Sequence, residues 1–313
     1  MGTRPVGGAA RRGGGPDGVV VVDKPAGWTS HDVVARVRGI LAVKRCGHAG
    51  TLDPDATGVL VIGVGRATRL LRFATALPKS YEGEVVLGTA TSTLDASGAV
   101  TGTFDMTAVT ADQVRAAAGS LTGRILQIPP MVSAVQVGGR RLHELARAGI
   151  EVERAPRPVE VFRFDVAPTG DPSVYAISVE CSSGTYVRVL AADLGAALGG
   201  GAHLRALRRA AIGGFSVAGA VTLDALGLGD LRPMGELVAH LSPVVVEAAV
   251  ADEVAHGRVL SRQLVAATGE GPWAVSDGTG RLLAVYEAIP AERMKPLVVV
   301  VTTEPGESAL SGE

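Results

Sequence analysis

A chain of 313 residues, 47% hydrophobic and 19% charged, is long enough for one large domain plus a small one and too apolar for wholesale disorder. The formal net charge of −1 hides an asymmetry: from Asp224 onward 13 carboxylates face 6 cations, while the preceding residues carry 24 cations and 18 carboxylates. That division suits a polyanion-binding body with an acidic appendage. Two cysteines, Cys46 and Cys181, stand far apart in no metal-ligand spacing and read as reduced thiols of a cytoplasmic protein.

The opening "MGTRPVGGAARRGGGPDG" is basic but has no apolar core of a signal peptide, so residues 1–17 read as a flexible Gly/Arg tail. No apolar run approaches the ~20 residues a spanning helix needs. "GVVVVDKPAGWTS" predicts a short strand and a Pro-Ala-Gly turn, with Ser30 capping a helix whose apolar positions are Val33, Val34, Val37, Ile40 and Leu41. The loop "GHAGTLDPDATG" then runs into "VLVIGVG", expected as a buried strand. "TRLLRFATAL" predicts a short helix and "KSYEGEVVLGTAT" a strand. Thr110 and Gln113 form a capping-box pattern ahead of "ADQVRAAAGSL". "SVYAISVECSSGTYVRVLAADLGAAL" reads as strand, turn and helix, and "GLGDLRPMGELVAHLSP" as a hinge or linker. The alternation is not a regular βαβ repeat, so the fold class is α+β with a mixed or antiparallel sheet. A small, largely β domain follows from about residue 242 to 303, and residues 304–313 read as a frayed tail.

Asp53 is the first candidate for chemistry. Pro54 restricts it to extended geometry at the mouth of a strand, and loops held by a rigid sheet are where reactive groups tend to sit. Its plain alternative, shared with Asp55, is to cap a turn. His48, Asp53 and Asp55 could instead contribute to a metal site, but no clustered His or Cys elsewhere completes the shell. A two-carboxylate glycosidase needs its carboxyls set apart across the scissile bond, which one tight loop does not offer. Tyr81 opens a strand beside Lys79. Tyr186 and Arg188 lie two apart after a turn, on one face if extended. An arginine there that met Asp53 would favour the ionised carboxylate and fix its orientation. Two basic stretches complete the inventory: Arg140, Arg141, His143 and Arg147 in "GRRLHELARAG", and His203, Arg205, Arg208 and Arg209 in "HLRALRRAAIGG". Such runs usually mark a solvated helix face; the lack of acids between Asp193 and Asp224 favours phosphate contact here.

Taken together, "VVDKPAGWTSHDVV", "RCGHAGTLDPDATGVLVIGVGRATR", "KSYEGEVVLGTATSTLDASG", "PPMVSAVQVGGRRLHELARAGIEV", "SSGTYVRVLAADLGAALG" and "GAHLRALRRAAIGGFSV" resemble the TruB family of tRNA pseudouridine synthases, in the family's order, from Val19 to about Leu226. The resemblance implies a pseudouridine synthase fold over residues 18–241 with a mixed, mainly antiparallel sheet. It also implies a mobile thumb at about 130–152 and a small PUA-like domain after it. It implies Asp53 as nucleophile, Tyr81 packing on the target base and assisting proton removal, and Arg188 pairing with Asp53. His48 would help hold the opened RNA loop, and Lys24 and Pro25 would form a structural motif behind the site. Substrate contacts are expected from Tyr186, Arg140, Arg141, Arg205, Arg208 and Arg209. The implied partner is the T arm of tRNA, met by a monomer without membrane or protein partner. The isomerisation transfers no electron or phosphate, so no cofactor is expected. The acidic C-terminal piece matches its counterpart only loosely, and packing against the catalytic body is the alternative to gripping RNA.

Overall fold

The computed structural model describes residues 15–133 and 136–301. In chain order the strands are β1 (Gly18–Lys24), β2 (Cys46–His48), β3 (Thr57–Val64), β4 (Lys79–Leu87), β5 (Thr89–Thr91), β6 (Val100–Thr103), β7 (Gly123–Gln127), β8 (Gln136–Val137), β9 (Arg140–Arg141), β10 (Arg157–Pro168), β11 (Val174–Cys181), β12 (Ala202–Ile212), β13 (Phe215–Ser216), β14 (Ser242–Val246), β15 (Leu260–Ser261), β16 (Trp273–Asp277), β17 (Leu282–Ile289) and β18 (Arg293–Val299). The helices are α1 (Ser30–Ile40), α2 (Leu71–Ala76), α3 (Ala111–Ser120), α4 (Leu142–Arg147), α5 (Val187–Ala197) and α6 (Ala248–Ala255).

The large sheet runs β1-β3-β12-β4-β11-β10-β7, with β2 beside β3 and β13 beside β12. All its pairings are antiparallel except β3 with β12, which run parallel over two residues only, Arg208 opposite Thr57 and Arg209 opposite Gly58. Mixed sheets with helices laid on their faces are the α+β arrangement expected. At the junction the backbones approach so closely that only glycine fits. Gly58 has φ +100°, and a Cβ there would lie 2.3 Å from the Arg209 carbonyl oxygen.

Burial follows the apolar spacing. Val33, Val34 and Val37 of α1, with its C-cap Leu41, pack on Val20, Val22, Leu60 and Ile62 of β1 and β3. Val114 and Ala118 of α3, with Leu190 and Leu194 of α5, close a second core over β4, β10 and β11. Capping differs from expectation at α1. Thr29, not Ser30, is the N-cap, because Asp32 completes a capping box with Thr29. Ser30 is instead buried, its Oγ bonded to the amide (2.9 Å) and carbonyl (3.2 Å) of Leu52. The capping box at Thr110 and Gln113 forms as its spacing predicts.

Three further expectations are corrected. The stretch "HLRALRRAAIGG" is not a helix face but the central strand β12, which places alternate arginines in different environments. The supposed hinge after Leu226 is packed down: Leu237 and Val238 are buried, and the Arg232 backbone exchanges hydrogen bonds with Val19. Asp17, assigned to the tail, forms an ion pair with Arg66 at 2.6 Å. The rest of that tail up to residue 14, and the C-terminal one, lie outside the described residues.

The second sheet, β14-β16-β17-β18-β15, has its own core of Trp273, Tyr286, Leu283 and Met294. Its other face is not free. Leu282, Val285, Val298 and Val300 share one apolar cluster with Val19, Val21, Val59, Val61, Leu237 and Val238. The Arg69 guanidinium also donates to the Val299 carbonyl. The acidic C-terminal sheet is thus docked on the back of β1 and β3.

Candidate active site

Asp53 lies on the loop between β2 and β3, beside the parallel junction. Two buried cations pin this loop. Lys24, fully buried at the end of β1, donates from Nζ to the carbonyls of Pro25 (2.9 Å), Trp28 (2.6 Å) and Pro54 (2.8 Å). Arg209 of β12, 1% exposed, donates to the carbonyls of Val59 (2.8 Å), Thr51 (3.2 Å) and Gly50 (3.1 Å). Ser30 holds Leu52 between them. The backbone on both sides of Asp53 is thereby fixed by buried groups whose donor nitrogens and hydroxyl each have a partner, as buried polar groups require. Burial pulls the Lys24 ammonium down to about 8, against the pull of Asp55 and Asp53.

The Asp53 carboxylate meets Arg188 in the first turn of α5. Arg188 Nε lies 2.9 Å from Oδ2 and Nη2 donates to Oδ1 at 3.2 Å, a two-point charge-assisted contact. The arginine is itself held by the carbonyls of Thr93 (3.0 Å) and Val132 (2.9 Å) and by Asp95 at 3.4 Å. The Arg188 side chain is 5% exposed and that of Asp53 41%, so the cation is built in and the carboxylate looks out. Burial raises the Asp53 pKa above the ordinary carboxylate value; Arg188 opposes this and Asp95 adds to it. The sequence expectation that Tyr186 and Arg188 share an extended face does not hold. Arg188 is helical, and Tyr186 is the N-cap residue of α5, its backbone fixed by the Gln127 side chain.

Asp53 borders two cavities. One, about 240 Å³, is lined by Tyr81, Tyr186, Arg188, Leu207, Arg209 and the 50–53 loop. The other, about 300 Å³, runs past Asp95, Ser97, Asp55 and Arg205. Tyr81 of β4 is a cross-strand neighbour of Arg209 and only 7% exposed. Burial pushes its phenol up, with Arg209 pulling the other way, so the hydroxyl is neutral at physiological pH. Asp55 is exposed, and Lys79 is buried with its ammonium on the carbonyls of Thr75 and Leu77, both at 2.7 Å.

His48 ends β2, half-buried, with the His31 ring edge-on at 5.4 Å. Burial, reinforced by His31 and Arg209, lowers it to about 4, so it is neutral at physiological pH. The expected phosphate-binding trio on β12 is corrected. Arg209 is buried on backbone carbonyls. Arg205 is paired with Glu84 at 2.7 Å, and Arg208 is forked onto Asp23 at 2.7 and 3.0 Å. Alternation along a strand sends successive side chains apart, so the three cannot form one cationic face. Exposed cations with no ion pair among the described residues lie at Arg36, Arg38, Lys44, Arg45, Arg69 and Arg72, in the stretch from α1 to α2 around β2, and also at Arg157, Arg258 and Arg293. Arg140 is exposed on the β8–β9 hairpin; the side chains of Arg141, His143 and Arg147 lie outside the described residues. Sequence reading missed Asp95, Ser30 and Gln127. The one signal for Asp95 was its place in "STLDASG", where a carboxylate follows a strand. Among the described residues no group of three or more His, Cys, Asp or Glu side chains could hold a metal ion.

Comparison with known proteins defines the class first. The model of the TruB family pseudouridylate synthase N-terminal domain matches residues 38–187, and that of the tRNA pseudouridylate synthase B C-terminal domain matches residues 188–244. Relatives called tRNA pseudouridine synthase B from Streptomyces coelicolor and Thermobifida fusca are each 47% identical, over 87% of this chain and 93% and 94% of theirs. The chain belongs to the TruB family of pseudouridylate synthases. In structure it is similar to a chain of a Cbf5-Nop10-Gar1 complex, with TM-score 0.72 and 26% identity over 91% of this chain and 85% of that one. The fold is accordingly that of the pseudouridine synthases with a small, mainly β, PUA-like C-terminal domain.

Proposed function

We propose that this protein is the tRNA pseudouridine(55) synthase of its cell: it isomerises the T-loop uridine of tRNA to pseudouridine, with Asp53 as covalent nucleophile and the uridine flipped into the Tyr81 cavity. The observation that carries this reading is the Asp53–Arg188 pair at 2.9 Å, on a loop pinned by two buried cations and opening onto a cavity walled by Tyr81. The names of its relatives supply the tRNA.

The bond from C1′ to N1 breaks and one from C1′ to C5 forms; C5 gives up a proton and N1 gains one. Atoms and electrons balance within the nucleotide, so the reaction draws on no oxidant and no cofactor. A carboxylate attacking the flipped nucleotide divides the exchange into two steps, with the detached base kept in the cavity while it turns. Arg188 keeps Asp53 ionised and aimed. Extruding the base costs a few kcal/mol, and stacking on an aromatic ring returns about 1–3 kcal/mol. That gives Tyr81 a reason to be aromatic. As a neutral phenol it relays the C5 proton rather than standing ready as a base. His48 and Tyr186 flank the entering nucleotide. Phosphates meet the cations around β2 and Arg140, Arg141 of the hairpin, rather than Arg205, Arg208 and Arg209. The protein acts as a cytoplasmic monomer; no described helix is long and apolar enough to cross a membrane.

The test is tritium release from unmodified tRNA carrying tritium at uridine C5. Wild type should release it without added cofactor, and release should vanish when the T-loop uridine is replaced. Asp53→Asn should abolish release while retaining RNA binding, and Asp55→Asn, altering only an exposed side chain, should be milder. Equal and complete loss from both would remove the assignment of the nucleophile. Tight RNA binding without any release by wild type would make the protein an RNA-binding factor.

A further inference from the structure

The chain has two tryptophans, and they differ in kind. Trp273 is fully buried in the C-terminal core, under the Arg262 guanidinium. Trp28 is 38% exposed, although aromatic residues are only 4% of the chain. An isolated exposed apolar side chain needs no explanation in itself. What sets Trp28 apart is how firmly its backbone is fastened, and to what. The Lys24 ammonium bonds the carbonyls of Trp28 (2.6 Å) and Pro54 (2.8 Å) at once, and the Gly27 amide donates to that same Pro54 carbonyl at 3.0 Å. Pro54 directly follows Asp53. The turn that presents the indole and the loop that presents the carboxylate are one hydrogen-bonded unit. Gly27 has φ +80°, which lets the turn close tightly enough for this.

The indole also borders a cavity. A recess of about 440 Å³ is walled by Trp28, Pro25, Thr57, Thr222, Leu223 and Arg208, with the carboxylates of Asp23 and Asp224 also on its lining. Its size is that of small-ligand sites, about 300–1,000 Å³. Arg208 does not bring a bare charge to it, because Asp23 neutralises the guanidinium in a two-point contact at 2.7 and 3.0 Å. A phosphate would find a compensated cation there. A flat, neutral, polar-edged group finds an aromatic face, a guanidinium plane, two threonine hydroxyls and the Asp224 carboxylate, which accepts from the N–H edge of a base and further disfavours a phosphate. That is the chemistry of an unpaired nucleobase, which stacks through its π-face and bonds through its edge.

We infer that Trp28 is the floor of a second nucleobase subsite, which stacks an unpaired base of the substrate RNA other than the uridine being isomerised. The inference rests on the proposed RNA substrate. Because the Lys24 clamp ties this floor to the Asp53 loop, a base seated on Trp28 sets the register of the RNA strand relative to the nucleophile. The subsite therefore acts on substrate binding and alignment, and no reacting atom touches it.

The experiment uses full-length protein in the Asp53→Asn background, which binds without turning over, titrated with unmodified tRNA transcript. Since Trp273 is buried away from solvent, the change of tryptophan emission on RNA binding should arise from Trp28. It should survive Trp273→Phe and vanish in Trp28→Phe. Trp28→Ala should weaken tRNA binding by about 5- to 150-fold, the loss of one base–aromatic stack. Trp28→Phe, which keeps an aromatic face, should recover most of it. In the active protein Trp28→Ala should raise KM by a similar factor and lower kcat far less. An exposed side chain leaves the fold intact, and equal melting temperatures would establish that. Unchanged emission together with wild-type affinity in Trp28→Ala overturns the subsite. If wild type binds tRNA yet releases no tritium, the isomerase reading falls and the emission titration still decides the subsite. If it binds no RNA, both fall.

Discussion

Replacing Arg188 by methionine removes the guanidinium while keeping an unbranched stem of similar reach. Five contacts vanish: two to Asp53 at 2.9 and 3.2 Å, one to Asp95 at 3.4 Å, and two to the carbonyls of Thr93 and Val132. Breaking a buried pair by deleting one partner costs about 3–5 kcal/mol. Here the orphaned Asp53 side chain is 41% exposed and can recover water, so a discount to about 2–3 kcal/mol is appropriate. A domain stable by about 5–15 kcal/mol survives that loss, and the variant should fold. The catalytic effect is larger. Burial and Asp95, helped by Asp55, would then act on Asp53 against Lys24 alone, so its pKa must rise further. Protonation of Asp53 then begins at higher pH, and on the proposed mechanism the acid limb of the kcat profile moves toward neutrality. Misaiming the carboxylate adds roughly a 100-fold loss even where it is ionised. Single-turnover tritium release from saturating tRNA, followed from about pH 5 to 9, reads both effects. An acid limb in its wild-type place, with kcat within a few-fold, would refute the role given to Arg188.

Gly58→Ala should destabilise the protein by more than about 2 kcal/mol in urea titrations, since the added Cβ meets the Arg209 carbonyl at 2.3 Å at φ +100° and neither backbone can retreat. Lys24→Met should leave the chain folded but cut turnover by about 100-fold, because three carbonyls around the Asp53 loop lose their common donor. The same variant has a pH signature. The folded state gives up the Lys24 proton near 8 and the unfolded state near 10.5, so wild type gains stability relative to Lys24→Met as pH climbs through that window. Parallel melting curves of the two proteins there would contradict it. His48 follows the same sign in a more acidic window. Its folded form resists protonation down to about 4 while the unfolded imidazole takes a proton near 6.5, so stability is lost as pH falls between these values. His48→Asn should lose less stability over that acid range, as measured by thermal melts at stepped pH.

The site was legible in sequence where one residue type answers a local demand. The Asp-Pro pair at the mouth of "VLVIGVG" and the Arg of "SSGTYVR" stood out as candidates, but their pairing was an expectation that only the family resemblance supplied. What stayed hidden was decided by neighbours distant in sequence. Arg209 looked like a surface cation among others; only the register of β12 against β3 turns it inward onto three carbonyls. Ser30 was a fair N-cap by composition, but Thr29 lies one residue earlier with Asp32 at the reciprocal position, which releases Ser30 to hold Leu52. Asp95 lies inside the quoted stretch "KSYEGEVVLGTATSTLDASG" but was given no role there, because it joins Arg188 only across the fold. The supposed linker at "RPMGELV" has turn-like composition, yet its Leu237 and Val238 fill a cluster built by two sheets.

That shared cluster makes the two sheets a single melting unit. Leu282, Val285, Val298 and Val300 cover Val19, Val21, Val59 and Val61, so separating the sheets would wet both apolar faces together. Exposure of apolar surface is what raises the heat capacity on unfolding. Calorimetry should therefore record one endotherm, not a low one for the small sheet and a high one for the large. The strand that carries Lys24 is thereby wedged between α1 on one face and the acidic sheet on the other, so the C-terminal unit contributes to the stillness of the Asp53 loop from behind.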